Sequence, residues 1–321
     1  MAEQNDTGIP LSATLNPWRE LKRLRTEATR LRDELDRLRA EHGEWSRFVP
    51  PGHFYSPVPS REDIEDAFAR DESGPPFPGI DLNEAAQEAR LERFVPWYAG
   101  QPFRADPSPE RRYHFENGSY GRFDAIMLTC MLREARPRRI IEVGSGFSSA
   151  AMLDINEHVL GGSVNLTCID PDLSRVRRLL RPGYEQRLRL IERRVQDVPL
   201  ETFDALGEND VLFIDSSHVS KIGSDVNRLY FHVLPRLAPG VLVHIHDITG
   251  TLEYARQWYD EGRAWNEQYI VRAFLMHNIA FRIELFTAWL FDTRHEWFVK
   301  NMPLCALGGG GALWLRRVHG S

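Results

Sequence analysis

Carboxylates and imidazoles follow several short apolar stretches of this sequence, at positions where a strand would end. They are Glu142, Asp170, Asp197, Asp215 with His218, and the pair His246–Asp247. A carboxylate that closes the second strand of a nucleotide-binding unit can accept hydrogen bonds from both ribose hydroxyls. A neutral histidine is suited to taking a proton near neutral pH. These residue types predict a site that binds a nucleotide-like ligand and moves a proton.

A glycine-rich turn precedes most of these residues in the chain. Ile140 and Ile141 lead into Glu142-Val143-Gly144-Ser145-Gly146, and Ser148 or Ser149 can cap the helix that follows. Glycine allows a ligand to approach the backbone closely, and the free N–H groups of the helix would face that ligand. The dinucleotide fingerprint G-x-G-x-x-G is matched only in part, because its third position is Ser149.

The elements that must position these residues alternate as strand and helix. Strands are predicted at residues 140–143, 164–169, 188–195, 211–214 and 241–245, with helices between them. Such alternation predicts a parallel, doubly wound sheet, in which ligands bind outside the carboxyl ends of the strands. Two final strands, residues 281–290 and 312–318, have no predicted helix between them and suggest an antiparallel hairpin.

The N-terminal part has a different pattern. Leucine or alanine recurs every three or four residues between Leu21 and Leu38, which is a heptad spacing. We predict an amphipathic helix in residues 1–48 that forms either a coiled-coil homodimer or a helix packed on its own chain. Residues 49–110 are rich in proline and predict an arm that covers a catalytic domain at residues 111–321.

Composition excludes several classes of function. The chain has 321 residues, 42% of them hydrophobic and 27% charged, with a net charge of -6. A mildly acidic chain is not a general nucleic-acid or membrane binder. The sequence has no apolar run of transmembrane length, no secretory signal and no Cys pair typical of zinc, so we predict a cytoplasmic protein.

Residues 111–321 resemble the class I S-adenosylmethionine-dependent methyltransferases, and within them a bacterial group related to small-molecule and sugar O-methyltransferases. The motifs that carry the resemblance are Glu142-Val143-Gly144-Ser145-Gly146, which is similar to the E-x-G-x-G first motif, Cys168-Ile169-Asp170, and residues 212–218 and 234–241. The resemblance implies a Rossmann-like sheet of seven strands, five parallel plus the hairpin, and S-adenosylmethionine as the cofactor.

The resemblance also implies roles for individual residues. The expected cofactor-binding residues are Glu142, Gly144, Ser145, Gly146, Asp170, Asp197, Asp215 and Tyr120. Trp265, Asn266, Glu267 and Tyr269 either contact the acceptor or form a helix cap with an aromatic anchor.

Relatives that use a metal hold it between an aspartate after the fourth strand and an acidic pair after the fifth. Here these positions are Asp215, His246 and Asp247, with histidine replacing one carboxylate. Mg²⁺ prefers oxygen ligands, whereas an imidazole suits zinc, iron or manganese. The alternative is a metal-free site in which His246 or His218 is the general base, and a third interpretation makes these residues structural caps.

We therefore predict a methyltransferase that acts on an oxygen atom of a small polar or sugar-type acceptor. The catalytic residues would be Asp215, His218, His246 and Asp247. Two alternatives stay open at this point: an NAD(P)-dependent oxidoreductase, and a methyltransferase-like scaffold without activity.

Overall fold

The computed structural model of the protein describes residues 17–45, 48–70, 77–181, 184 and 188–318. The chain divides into two compact units, Met1–Asp66 and Ala67–Ser321. No helix in the described ranges is long and apolar enough to span a membrane.

The first unit contains the predicted N-terminal helix, α1 (Pro17–Trp45). Its leucines stay largely in solvent, with Leu24 exposed to 52% and Leu31 to 54%. Among the described residues of this unit most of the leucine stripe is thus uncovered, and the coiled coil stays a prediction. Helix α2 (Arg61–Arg70) begins in this unit.

The second unit is built on one sheet of seven strands, whose order is β3-β2-β1-β4-β5-β7-β6. The strands are β1 (Arg139–Val143), β2 (Asn165–Asp170), β3 (Arg189–Glu192), β4 (Val211–Ile214), β5 (Leu242–Ile245), β6 (Phe281–Phe286) and β7 (Leu313–Arg317). Strands β1 to β5 are parallel, and β7 is antiparallel to both β5 and β6. The predicted Rossmann-like sheet with an antiparallel end is confirmed.

The second unit also contains α-helices, which precede or connect these strands. They are α3 (Glu84–Tyr98), α4 (Arg122–Ala135), α5 (Phe147–His158), α6 (Ser174–Leu179), α7 (Asp225–Arg228), α8 (Arg256–Asp260), α9 (Glu267–Leu275), α10 (Thr287–Thr293) and α11 (His295–Asn301). Helix α4 packs against α3, α5 and α10, so these four elements form one continuous layer.

The prediction for the last two strands is wrong in detail. The apolar run at residues 281–290 is a strand only as far as Phe286, and helices α10 and α11 follow before β7. At this junction the N–H of Thr287 still donates to the carbonyl of Ala312, as in the sheet, while its Oγ1 lies within hydrogen-bond distance of Asp124 in α4. A buried strand followed by a buried helix gives one unbroken apolar run, which periodicity cannot divide.

Helix α3, from the predicted arm, is part of the second unit. Its Arg90 forms ion pairs with Glu284 of β6 and with Glu134 of α4. Gln87 accepts a hydrogen bond from the backbone N–H of Phe286 at 2.7 Å. These contacts tie residues 84–98 to the edge of the sheet, whereas the domain boundaries at residues 48 and 110 stay a prediction.

Candidate functional site

The parallel strands end at one edge of the sheet, and the strand order changes direction between β1 and β4. The N–H of Asp215 donates to the carbonyl of Val143 at 2.9 Å, and the N–H of His246 donates to the carbonyl of Ile214 at 2.9 Å. The N–H of Gly144 donates to Ile169 at 3.0 Å on the other side of β1. The polar residues that follow β1, β2, β4 and β5 are thereby brought together at a switch point, where open sheets bind ligands.

A cleft of about 490 Å³ opens at this edge. It lies between the glycine turn, the ends of β2 and β3, and the loop after β4, and Gly144, Asp170, Gln196, Asp215 and Ser217 are among its lining residues. Its volume falls within the range of small-molecule sites.

Asp170 is held rigidly in this cleft. One carboxylate oxygen accepts from the N–H of Ser145 at 2.8 Å, and the other accepts from the N–H of Asp172 at 2.8 Å. Each carboxylate oxygen can accept more than one hydrogen bond. The carboxylate can therefore accept further hydrogen bonds from a pair of ligand hydroxyls.

Gly144 has no substitute at its position. Its φ is +82°, and a Cβ added there would lie 1.8 Å from the carbonyl oxygen of Asp215. The glycine thus lets the β1 turn and the β4 end approach closely, which is what brings Asp215 over the turn.

Glu142 does not line the cleft, contrary to the expectation that it contacts the cofactor. Its side chain is fully buried and accepts hydrogen bonds from Ser148 Oγ at 2.6 Å and Ser149 Oγ at 2.5 Å, with Cys168 Sγ at 3.2 Å. These hydrogen bonds link β1 to the first turn of α5, on the buried side of the glycine turn. Residue type alone does not reveal on which side of the turn the carboxylate lies.

Burial raises the pKa of Glu142 to about 7, although hydrogen bonds from Ser148 and Ser149 oppose the shift. Because the folded state binds this proton more tightly than the unfolded chain, whose value is 4.5, stability from this group is complete below pH 4.5 and is lost as pH rises to about 7. We expect the free energy of unfolding of the wild type, relative to Glu142→Gln, to fall by about 3 kcal/mol over this range. Urea unfolding at several pH values measures this difference, and a constant difference would contradict it.

A compact polar group in the site consists of Asp215, His218 and Asp247. His218 Nε2 lies 3.5 Å from Asp215 Oδ1 and 3.5 Å from Asp247 Oδ2. One donor atom from each residue lies within 4.8 Å of the others, a spacing that could hold a metal ion. Both His218 (φ 59°) and Asp247 (φ 55°) adopt left-handed backbone conformations, which cost energy for residues other than glycine and cluster at functional sites.

His218 joins this group in place of His246, which the sequence analysis had placed among the metal ligands. His246 Nε2 is 3.7 Å from Asp247 Oδ1, but its ring lies against Tyr120, with ring centroids 5.1 Å apart, and Nδ1 has no hydrogen-bond partner in the described chain. The reason is that His246 still belongs to the sheet ladder, whereas the backbone turns at Asp247 and at His218.

The charges of this group influence one another. Burial alone would lower the pKa of His218, but the carboxylates of Asp215, Glu267 and Asp247 raise it to about 10. Burial would raise the pKa of Asp215, but the imidazoles of His218 and His246 lower it below its usual value. The low pKa of Asp215 and the raised pKa of His218 therefore stabilise each other's charged forms.

The four residues expected to contact an acceptor have different surroundings. Trp265 packs on the ring of His218, with centroids 4.3 Å apart, and Tyr269 is 40% exposed and shares Glu253 with Tyr259. Asn266 bonds the backbone of Ser220 through its side chain. Glu267 is fully buried against His218, so it supports the site without facing an acceptor.

Two other expected cofactor residues lie at the margins. Asp197 is exposed, in a short 3-10 helix after β3, and pairs with Arg194 at 2.9 Å. It does not line the cleft, whereas its neighbour Gln196 does. Tyr120 is buried beside His246, and its hydroxyl has no partner within the described residues.

Asp124 is a site residue that the sequence analysis missed. It is buried in α4, accepts from the N–H of Gly311 at 3.0 Å, and its charge contributes to raising the pKa of His246. The signal was a carboxylate within the apolar run of this helix, and it is the one carboxylate among ten consecutive buried residues. A charge at such a position requires partners.

Comparisons with known proteins find similar sequences. Residues 141–248 match the model of a family described as a methyltransferase domain. An uncharacterized protein of Archaeoglobus fulgidus is 34% identical over 175 residues, which cover 52% of this chain and 77% of that protein.

Solved structures are similar at a lower level. A Podospora anserina methyltransferase bound to S-adenosylhomocysteine (SAH) is 14% identical, with a TM-score of 0.43 over 82% of this chain and 98% of that one. A structure of CmcI with Mg and S-adenosylmethionine is 22% identical, with a TM-score of 0.37 over 62% of this chain and 72% of that one.

Proposed function

This chain belongs to the class I S-adenosylmethionine-dependent methyltransferases, and from that premise we propose that it methylates a hydroxyl oxygen of a small polar acceptor. The observation that carries the proposal is the group formed by Asp215, His218 and Asp247, because Asp215 also lines the cleft. A site for handling a hydroxyl proton therefore adjoins a site for a nucleoside-type donor.

The cleft residues supply the donor-binding part of the proposal. When bound, S-adenosylmethionine would supply a methyl group on a sulfonium: an oxygen–carbon bond to the acceptor would form in line as the carbon–sulfur bond breaks, leaving SAH. Asp170, oriented by Ser145 and Asp172, would accept hydrogen bonds from the ribose hydroxyls. Gly144 leaves the backbone open to the ligand, and Gln196 lies at the end of β3, where an adenine would be placed.

The donor atoms of the polar group fit a divalent metal ion. Two carboxylates and one imidazole nitrogen within 4.8 Å of one another form a mixed oxygen and nitrogen set, which favours manganese, iron or zinc over magnesium. A bound ion of this kind would lower the pKa of an acceptor hydroxyl and orient it.

In a site without a metal ion, His218 is the residue that we propose to exchange the acceptor proton, because a metal ion on Nε2 would occupy the lone pair that accepts it. Its Nε2 faces Asp215 and Asp247, whereas His246 is turned toward Tyr120. Only the neutral imidazole can accept a proton or bind a metal. The effect of the carboxylates that raise the pKa of His218 must therefore be offset before His218 can act.

Calorimetric titration of the full chain with SAH, before and after chelation and with elemental analysis, tests this function. Micromolar binding together with a stoichiometric transition metal is the expected result. Binding without any metal would remove the metal from the proposal and leave His218 as a base. Binding of NAD(P) in place of SAH would contradict the function altogether.

We also propose that α1 pairs with α1 of a second copy of this chain. Its 29 residues span about 43 Å, and the exposed leucines repeat at the spacing of a two-stranded coiled coil. The double change Leu24→Glu and Leu31→Glu is expected to convert a dimer to a monomer, because it places charges in the seam. Light scattering measures the mass, and Thr26→Glu, on the outer face of the helix, is the matched control. A monomeric wild type would end this proposal.

A further inference from the structure

Glu267 is a fully buried carboxylate with no cationic side chain of arginine or lysine among its hydrogen-bond partners in the described residues. It begins helix α9, where the N-terminal end of the helix favours a negative charge. Burying a carboxylate is costly unless its hydrogen bonds are well made. Its partners are His218 Nδ1 at 2.8 Å and Ser216 Oγ at 2.9 Å, both on the same carboxylate oxygen.

We propose that Glu267 is a positioning residue, which holds the ring of His218 so that Nε2 faces Asp215 and Asp247. This inference rests on the proposed function, because that function makes Nε2 of His218 either a metal ligand or the acceptor of the hydroxyl proton. Glu267 would act through His218 and would not touch the acceptor.

The chemistry of the hydrogen bond fixes the ring. The Glu267 oxygen that meets Nδ1 also accepts a hydrogen bond from Ser216 Oγ, so we place the proton between Glu267 and His218 on Nδ1. When His218 has a single proton, that proton is on Nδ1, and the lone pair of Nε2 points to the two carboxylates at 3.5 Å. Without Glu267 either nitrogen could carry the proton, and the ring could turn.

The residues next to Glu267 support the same orientation. The N–H groups of Asn266 and Glu267 donate to the carbonyl of His218 at 3.0 and 3.1 Å, which stabilises its left-handed backbone. Trp265 packs on the face of the imidazole. The segment 265–267 thus holds the backbone, one ring nitrogen and one ring face of His218.

Outer partners of this kind orient histidine ligands in metal sites, and their loss typically weakens metal binding by about 10–100-fold. We therefore expect Glu267→Ala to weaken the binding of Zn²⁺ to the full chain by this factor in calorimetry. Glu267→Gln keeps the shape and one acceptor, and a smaller loss is expected. The affinity for SAH should stay within about twofold in both variants, because Glu267 does not line the cleft.

A second measurement detects which nitrogen of the His218 ring carries the proton. In protein labelled with ¹⁵N-histidine, the Nδ1–H of His218 should give a protected signal, identified by its loss in His218→Asn. That signal should shift in Glu267→Gln and vanish in Glu267→Ala. The matched control is Glu284→Gln, which removes another buried carboxylate, one paired with Arg90 and Arg282 in β6, and should leave zinc binding and the signal unchanged.

The possible results separate the two proposals. Folded Glu267→Gln and Glu267→Ala variants with zinc affinity and signal equal to the wild type would overturn the positioning role. A wild type that shows the Nδ1–H signal but binds no zinc would support that role and remove the metal from the proposed function.

Discussion

Replacing Gly144 with alanine is expected to destabilise the folded chain by about 2–5 kcal/mol and to weaken SAH binding by about 10–100-fold. A left-handed φ of +82° costs roughly 1–2 kcal/mol for alanine. The larger contribution is steric, because the new methyl group would lie 1.8 Å from the carbonyl oxygen of Asp215, so one of the two backbones must move. That movement displaces the end of β4, where Asp215 begins the polar group.

Gly262→Ala is the matched control for this experiment. Gly262 also has a left-handed φ, +78°, but nothing lies within 4 Å of the position of its Cβ. Only the conformational cost of about 1–2 kcal/mol should appear there, with no change in ligand binding. Urea unfolding and calorimetry measure the two effects. Equal losses in both variants would show that the close approach to Asp215 is unimportant.

Replacing Asp215 with asparagine is expected to lower the rate of methyl transfer by about 10²–10⁴-fold. The change keeps the shape of the side chain but removes the charge that lies 3.5 Å from His218 Nε2. Metal binding should weaken in the same variant, because asparagine is a weaker ligand than a carboxylate. Release of SAH with an acceptor found by screening hydroxyl compounds on the wild type measures the rate, and titration with Mn²⁺ measures the metal.

Asp210→Asn is the matched control for Asp215, because Asp210 lies at the opposite end of the same strand. It is buried and accepts hydrogen bonds from the N–H groups of Arg138 and Arg139 at 2.9 and 2.8 Å. Its replacement should reduce stability without a specific effect on metal binding or on transfer per folded molecule. An Asp215→Asn variant as active as Asp210→Asn would exclude Asp215 from the chemistry.

The sequence by itself determined the parallel strands of the sheet and the edge at which polar residues follow them. Alternating apolar stretches and helices predicted five parallel strands, and the polar residues that follow them predicted where a ligand would bind. Such features depend on local period and residue type, which the sequence shows directly. The apolar run at residues 281–290 predicts too long a strand, because it does not reveal where a buried strand becomes a buried helix.

The tertiary structure alone decided which side chains share the site. It turned Glu142 inward onto Ser148 and Ser149, and it brought His218 rather than His246 to the two aspartates. It also joined Glu267 to His218 across 49 residues of sequence. The direction of a side chain after a strand depends on one or two backbone angles, and its partners come from loops distant in the chain. Residue spacing encodes neither, so packing had to assign these roles.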